Sequence, residues 1–403
     1  MTVSIQPGNR AEARNAALFA RAVKARTFTN ILTGEAPKGT KDIGKQQTEP
    51  GAPIVRVTDL GKGEGTEVTV DIVHKLTKKP TMGNKRLAGR GDTIKFAEDT
   101  LAINQGRHMV DDGGRMIHQI MNQPIAQVSR SLLGTYFNDL DDELTLYHLA
   151  GARGDYFDPA EDIVPLEADP EFSEIIGNPL LPANYGQHFY GGDATAIDDL
   201  DSSDRMTLEV VDNLALTLRE KSIIRRMSFK SDDGKKDSPM NLLYVSPVQW
   251  FDLKASSSGK DWQEMMAKAM TRSKTWNHPV FKGDCIMREN ILIKPMFRPV
   301  GFNVGSQVRV SRNDKAATTE IRQPGVKTER AILLGSQALG IAYGRSKSTN
   351  GHHFGTHVEK EDHGAVEEVS INWMNGRKKL RFQDKLGYKR DHGVITIDTA
   401  VSR

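Results

Sequence analysis

Val68, Val70 and Ile72 alternate with Glu67, Thr69 and Asp71 in the period-two pattern of a half-buried strand. Apolar positions resume at Ile94, Phe96, Leu101 and Ile103, after a basic, glycine-bearing stretch from Lys75 to Asp92. The two runs predict a long hairpin with a polar tip, and a hairpin this long needs support from another surface, because an isolated one is marginal in water. Between Gly113 and Phe137 the pattern changes: Met121, Ile125, Val128 and Leu132 step by helical spacing. That predicts a helix of up to about 25 residues, roughly 37 Å long at about 1.5 Å per residue. Pro124 would kink it or mark its start.

Helical spacing returns from Met206 to Ser222 through Val211, Leu214 and Leu218, with Ser203 or Asp204 as the cap. Leu242 to Val245 reads as a buried strand, and Ser246-Pro247 sets a capping hydroxyl before a first-turn proline, opening a helix through Trp250 to Leu253. A second helix over Asp261 to Thr271 carries Trp262, Met265, Met266 and Ala269 on its apolar side. Ile286 to Ile293 and Phe302 to Val310 read as strands, Ala331 to Leu339 as a buried helix or strand, and Val369 to Trp373 and Val394 to Val401 as closing strands. Toward the N-terminus, residues 9 to 26 pair Leu18 with Ala22 and Phe19 with Val23 in one amphipathic helix; Thr33 to Pro53, with four glycines and three prolines, follows as an extended arm or linker.

The chain of 403 residues carries a net charge of only +3, but its charges are segregated. Residues 1 to 62 hold ten Lys or Arg against five acids, Lys75 to Arg90 six cations and no acid, and Gly376 to His392 seven cations against two acids. Asp155 to Asp204 reverses the sign, with thirteen carboxylates, no Lys or Arg, and five prolines that predict irregular surface structure. Such blocks suit contacts between copies that steer by complementary charge, or else solvated loops. No apolar run approaches the roughly 20 residues of a membrane span, and no apolar segment follows Met1, so the chain is not expected to cross a membrane by itself. Cys285 stands alone, which excludes an internal disulfide and fits a reducing compartment.

Catalytic signatures are lacking. No Gly-Lys pair continues into a phosphate loop, Gly61, Gly63 and Gly65 lack the third spacing of a dinucleotide fingerprint, and neither a Gly-x-Ser-x-Gly elbow nor His-Glu-x-x-His occurs. His352, His353, His357 and His363, interleaved with Glu359, Glu361 and Asp362, have the donor types for zinc. Gly351, Gly355 and Gly364 argue against the helix that would bring His353 and His357 onto one face, so a solvated loop is the plainer reading and no metal site is assigned. Asp198, Asp199, Asp201 and Asp204 lack the glycine and distal glutamate of a calcium loop. Residues 75 to 90 contain no aromatic to stack on bases, which disfavours sequence-specific nucleic-acid binding. No catalytic residue and no cofactor is expected, and the chain is read as a non-enzyme.

A basic arm, a long hairpin, a long helix, an α/β region and a return to strands follow one another in an order that resembles the HK97-like major capsid protein fold of tailed phages. Three stretches carry the resemblance further: Leu243-Tyr244-Val245-Ser246-Pro247, Pro279-Val280-Phe281-Lys282-Gly283, and the run from Arg330 to Leu339. With Tyr343-Gly344, Lys378-Lys379, Phe382 and Gly393 to Asp398, they are similar to the branch found in podophages of the Schitoviridae type. The resemblance implies an α+β fold with an N-terminal arm (1–62), an extended loop (63–110), a peripheral domain with a spine helix (111–204), an axial domain (205–349) and C-terminal strands completing the peripheral domain (350–403). It also implies hexamers and pentamers in an icosahedral shell around double-stranded DNA held without sequence specificity. Scaffolding, portal and decoration proteins would be partners, with assembly in the host cytoplasm and no membrane. Arg10, Arg14 and Arg21 of the arm, and Lys75, Lys78, Lys79, Lys85, Arg86 and Arg90 of the loop, are the candidate contacts between subunits, with the acids of 155–204 as partners for some of them. The alternatives are a metal-dependent enzyme using the His352 to His363 cluster and another virion component, a tail or connector protein.

Overall fold

The long helix organises the fold, and it runs further along the chain than predicted. The computed structural model describes residues 27–34, 48–49, 51–57, 66–73, 79–84, 86–88, 90, 96–114, 125–221, 223–228, 239–275, 278–314, 318–344, 354–361, 366–383 and 387–401. The predicted helix at 9–26 and the Gly61 to Gly65 run lie outside these residues. A short helix α1 (Phe28–Leu32), capped by Thr27, is followed by strand β1 (Ile54–Val57) and then by β2 (Glu67–Val73) and β3 (Phe96–Ala102), which pair antiparallel from Glu67 opposite Ala102 to Val73 opposite Phe96. This is the expected hairpin. It ends earlier than residue 110, however, because Asn104 begins β4 (Asn104–Gly114), which pairs elsewhere.

Gly113 and Gly114 belong to β4 instead, and among the described residues helix α2 runs Ile125–Ala150, past the predicted end at Phe137. Its buried side carries Leu133, Leu140, Leu144 and Tyr147, while Val128 and Leu132 of the predicted apolar stripe are 42% and 59% exposed. Gly151 ends the helix with φ 70°, where a Cβ would stand 2.2 Å from the Leu181 carbonyl oxygen.

The acidic segment is irregular, as expected, apart from α3 (Phe172–Ile176), one 3-10 turn (Tyr185–Gln187) and β5 (His188–Tyr190). Then come α4 (Leu208–Lys221), β6 (Asn241–Val245), α5 (Pro247–Ser256) and α6 (Gly259–Thr275). Asp204 does not cap α4: its carboxylate accepts from Asp201 N and its carbonyl from Ala400 N. Ser246 does cap α5, in a reciprocal box with Gln249. The remaining strands are β7 (Ile286–Arg288), β8 (Ile291–Pro295), β9 (Val300–Phe302), β10 (Val308–Ser311), β11 (Thr319–Arg322), β12 (Thr328–Leu334), β13 (Leu339–Tyr343), β14 (Phe354–Glu361), β15 (Val366–Lys379), β16 (Arg381–Gln383), β17 (Lys389–Asp391) and β18 (Val394–Ala400). Three runs read as single elements are each two strands. Glu289 and Asn290, both with positive φ, fold 286–295 into a hairpin, Gly305 separates β9 from β10, and Gln337 at φ 53° separates β12 from β13.

Two sheets hold twelve of these strands, and β2–β3, β10–β11 and β16–β17 form separate antiparallel pairs. One has five, in the order β1-β13-β15-β14 with β4 also on β15; the other has seven, β5-β18-β12-β6-β8-β7 with β9 also on β12. The C-terminal residues are therefore shared, since β14 and β15 join the first sheet whereas β18 lies between β5 and β12 in the second. Helix α2 packs on the first sheet through Leu133 and Phe137 against Phe354, Val369, Ile371 and Trp373, and its last carbonyl, Ala150 O, accepts from Arg330 of β12 in the second. No helix among the described residues is long and apolar enough to cross a membrane.

Candidate assembly surface

The base of the β2–β3 hairpin is fastened to its own chain. Val68, Val70, Ala97 and Leu101 bury against Val55, Val57, Ala342, Leu380 and Phe382. Asp99 then receives Lys378 Nζ at 2.6 Å and the Arg381 amide at 3.0 Å, and the Asn178 side chain bridges to the Ala102 amide and carbonyl. The support that the sequence demanded is intramolecular at this end.

At the tip the described residues other than Thr81 are exposed. Lys79, Arg86 and Arg90 lie on the surface, together with two large apolar side chains, Met82 at 72% and Leu87 at 69% exposure. Cations interleaved with exposed apolar groups are what a partner surface looks like before it is covered. Of the other candidate contacts, Arg10, Arg14, Arg21, Lys75, Lys78 and Lys85 lie outside the described residues.

Within the cationic block from Gly376 to His392, Arg377, Lys379 and Arg381 turn inward, while Lys389 and Arg390 are exposed. Arg377 donates to the Asp141 carboxylate at 2.7 Å, Lys379 lies 3.2 Å from Asp391, and Arg381 Nε donates to the other oxygen of Asp391 at 2.7 Å. Burial lowers the Lys379 ammonium to about 8 despite Asp391. Burial alone would raise Asp391, but Lys379 and Arg381 hold it below the usual carboxylate range. Alternation explains the arrangement: in β15 Arg377 and Lys379 share the buried face with Asn375, and Lys378 points to the hairpin.

Much of the acidic segment is likewise engaged within the chain. Asp162 pairs with Arg153 and Arg298, Glu167 with Arg309, and Asp198 with Arg322, while Asp155 accepts from Asn303 N and Ser306 Oγ. Exposed acids remain at Asp169, Glu171 and Glu174, on and beside α3.

The two metal possibilities gain no geometry. His357 lies on strand β14, exposed, with its nearest acid Glu359 at 4.0 Å; His352, His353 and His363 lie outside the described residues. Among the described residues no group of three or more His, Cys, Asp or Glu is arranged to hold a metal ion. Asp198, Asp199 and Asp201 accept instead from Arg322, Thr195 and Ser203.

Sequence reasoning missed a buried ionic centre that joins the second sheet. Arg330 of β12 donates from Nε and Nη2 to both oxygens of Asp398 of β18, each at 2.7 Å, and His188 Nε2 of β5 lies 2.7 Å from Asp398 Oδ2. Burial opposes ionisation of Asp398, but Arg330 and His188 hold its carboxyl far below the usual range. Both residues fall in stretches the sequence singled out, and their opposite charges at apolar-strand positions were the available signal.

Comparison with known proteins places this architecture. A family model described as phage capsid protein matches residues 2–403. The major capsid protein of Pseudomonas phage KPP25 is 22% identical over 375 residues, covering 88% of this chain and 89% of that protein. Among solved structures, the capsid of Ralstonia phage GP4 superposes with a TM-score of 0.71 at 27% identity, covering 92% of this chain and 95% of that one. The capsid asymmetric unit of cyanophage Pam1 shares the fold, with a TM-score of 0.57 at 13% identity over 91% and 95% of the two chains.

Proposed function

The chain belongs to the phage capsid protein family, and from that premise we propose that its copies associate through the cationic hairpin tip and the N-terminal arm into a closed icosahedral shell of hexamers and pentamers. It is a structural, shell-forming protein of the virion with the mixed α+β, HK97-like fold. The shell encloses double-stranded DNA, which it holds without sequence specificity, and is assembled in the host cytoplasm with scaffolding, portal and decoration proteins as partners. Residues 1–62 act as the arm and α2 as the spine to which both sheets are fixed.

The observation that carries this reading is the asymmetry of the hairpin. A base locked by Asp99, Lys378 and Asn178 ends in a tip that exposes Met82 and Leu87 among cations. A projection that is rigid at its root and uncovered at its end suits a strap across another subunit, and symmetric closure repeats each such weak contact many times. Reversing Lys79, Arg86 and Arg90 to Glu tests it: sedimentation of the purified chain should shift from large assemblies to small species. Unchanged assembly would remove the tip's cations from the account.

A further inference from the structure

A cavity of about 510 Å³ opens between α2, the first sheet and α3, a volume in the range of small-molecule sites. Its walls are preformed. Trp373 of β15 packs closely over Gly106 of β4, where a Cβ would stand 2.3 Å from the ring, and its ring lies 5.4 Å from that of Phe137. Tyr136, Leu140 and Leu144 line the side formed by α2, and Ile175 the side formed by α3. Helix α3 is itself tied to β4 and to α2: Glu174 O accepts from Asn104 Nδ2 at 3.0 Å, and Ile176 O lies 3.3 Å from His148 Nε2.

Most of the polar side chains lining the interior are committed. Asn178 Oδ1 accepts from the Ala102 amide at 3.1 Å, and its Nδ2 donates to the carbonyls of Ala102 and Arg377. Arg377 donates to the Asp141 carbonyl and carboxylate, so its charge is neutralised. Asn375 is the exception. It is only 7% exposed, shares a face of β15 with Trp373 and Arg377, and lines the cavity, yet its Nδ2 has no hydrogen-bond partner among the described residues. A buried donor without an acceptor is costly, and a lone water answers it poorly, because a buried water needs about two to four polar partners and the walls here are apolar or already paired.

We infer that this cavity binds a small uncharged molecule with an apolar, ring-bearing body and one carbonyl oxygen, which accepts from Asn375 Nδ2. Each part of that description follows from a wall. Tyr136 and Trp373 supply aromatic surface, and Leu140, Leu144 and Ile175 supply aliphatic surface. One spare donor calls for one acceptor. The lining holds no unneutralised charge at depth, and the exposed residues of the mouth set Glu174 against Arg107, so neither an anion nor a cation is favoured. Every group named belongs to one chain, so binding does not depend on assembly into a shell.

The probes are acetophenone and α-methylstyrene, which carries =CH₂ where acetophenone carries =O, each titrated into the full-length chain and followed by saturation-transfer NMR. Both are expected to bind, and Asn375→Leu should shift the ratio of their affinities roughly tenfold toward α-methylstyrene, since that variant loses only the carbonyl's donor. An unchanged ratio, or no binding of acetophenone at millimolar concentration, would overturn the inference. A second variant reads the site without touching Asn375. Ile175→Trp, on the half-buried α3 wall, fills the cavity and should abolish binding of both probes while circular dichroism shows the fold intact. Undiminished binding in that variant would place the probes elsewhere and would also overturn it.

Discussion

Arg330 and Asp398 are wholly buried, so each is tolerable only because of the other. Arg330→Ala leaves a carboxylate in the core with His188 alone and is expected to cost about 3–5 kcal/mol in urea unfolding, whereas Lys79→Ala at the exposed tip should stay within about 0.5 kcal/mol. Buried titrating groups give this fold opposing pH dependences. Burial and the nearby Arg377 lower His148 to about 3, so it stays neutral when folded while the unfolded chain takes up its proton below about pH 6.5. Its contribution is full above that pH and is lost at about 1.4 kcal/mol per unit as pH falls toward 4. Asp142, which accepts from the Phe28 and Thr29 amides, is raised to about 6 by burial, so its ionisation weakens the fold above pH 6 and protonation restores stability as pH falls. Stability measured from pH 7 to 4 should therefore fall less steeply in His148→Gln and more steeply in Asp142→Asn than in the parent chain. The same slope in all three would contradict this assignment. None of these partnerships was legible in the sequence: the acid that neutralises Arg377 lies 236 positions away, so a basic block destined for burial looks like one destined for a partner.

Helix α2 shows how an element can be found and yet its buried face misread. The spacing of Met121, Ile125, Val128 and Leu132 is helical, but the stripe that reaches the core is the one through Leu133, Leu140, Leu144 and Tyr147. Polar residues disguise that half: Asp141, Glu143, Thr145 and His148 are all buried in it, Asp141 through Arg377 and Glu143 through the amides of Ile163 and Val164 and through Arg298. Leu133→Ala is expected to cost about 2–5 kcal/mol by thermal or urea unfolding, and Leu132→Ala, one position earlier, under about 0.5 kcal/mol. Equal losses would mean that the helix is rotated from the orientation described. The hairpin and the cap at Ser246 were legible, because period-two alternation and a hydroxyl before proline are local signals. Strand pairing was not, since the placement of β18 between β5 and β12 depends on contacts that no local pattern announces.

As a whole, the molecule joins two sheets through one long helix and extends a hairpin whose root is fixed and whose end is uncovered. Segregated charge alone did not distinguish the two basic blocks: Lys79, Arg86 and Arg90 at the tip are exposed, whereas Arg377, Lys379 and Arg381 pair within the chain. Assembly through many copies of one modest contact would let a shell persist without a disulfide. Electron microscopy of the purified full-length chain, with Met82→Asp/Leu87→Asp prepared alongside, tests that claim most directly. Closed shells, sheets, or pentameric and hexameric rings from the parent chain, lost in the tip variant, are the predicted result; discrete particles of one or two chains from the parent would contradict it.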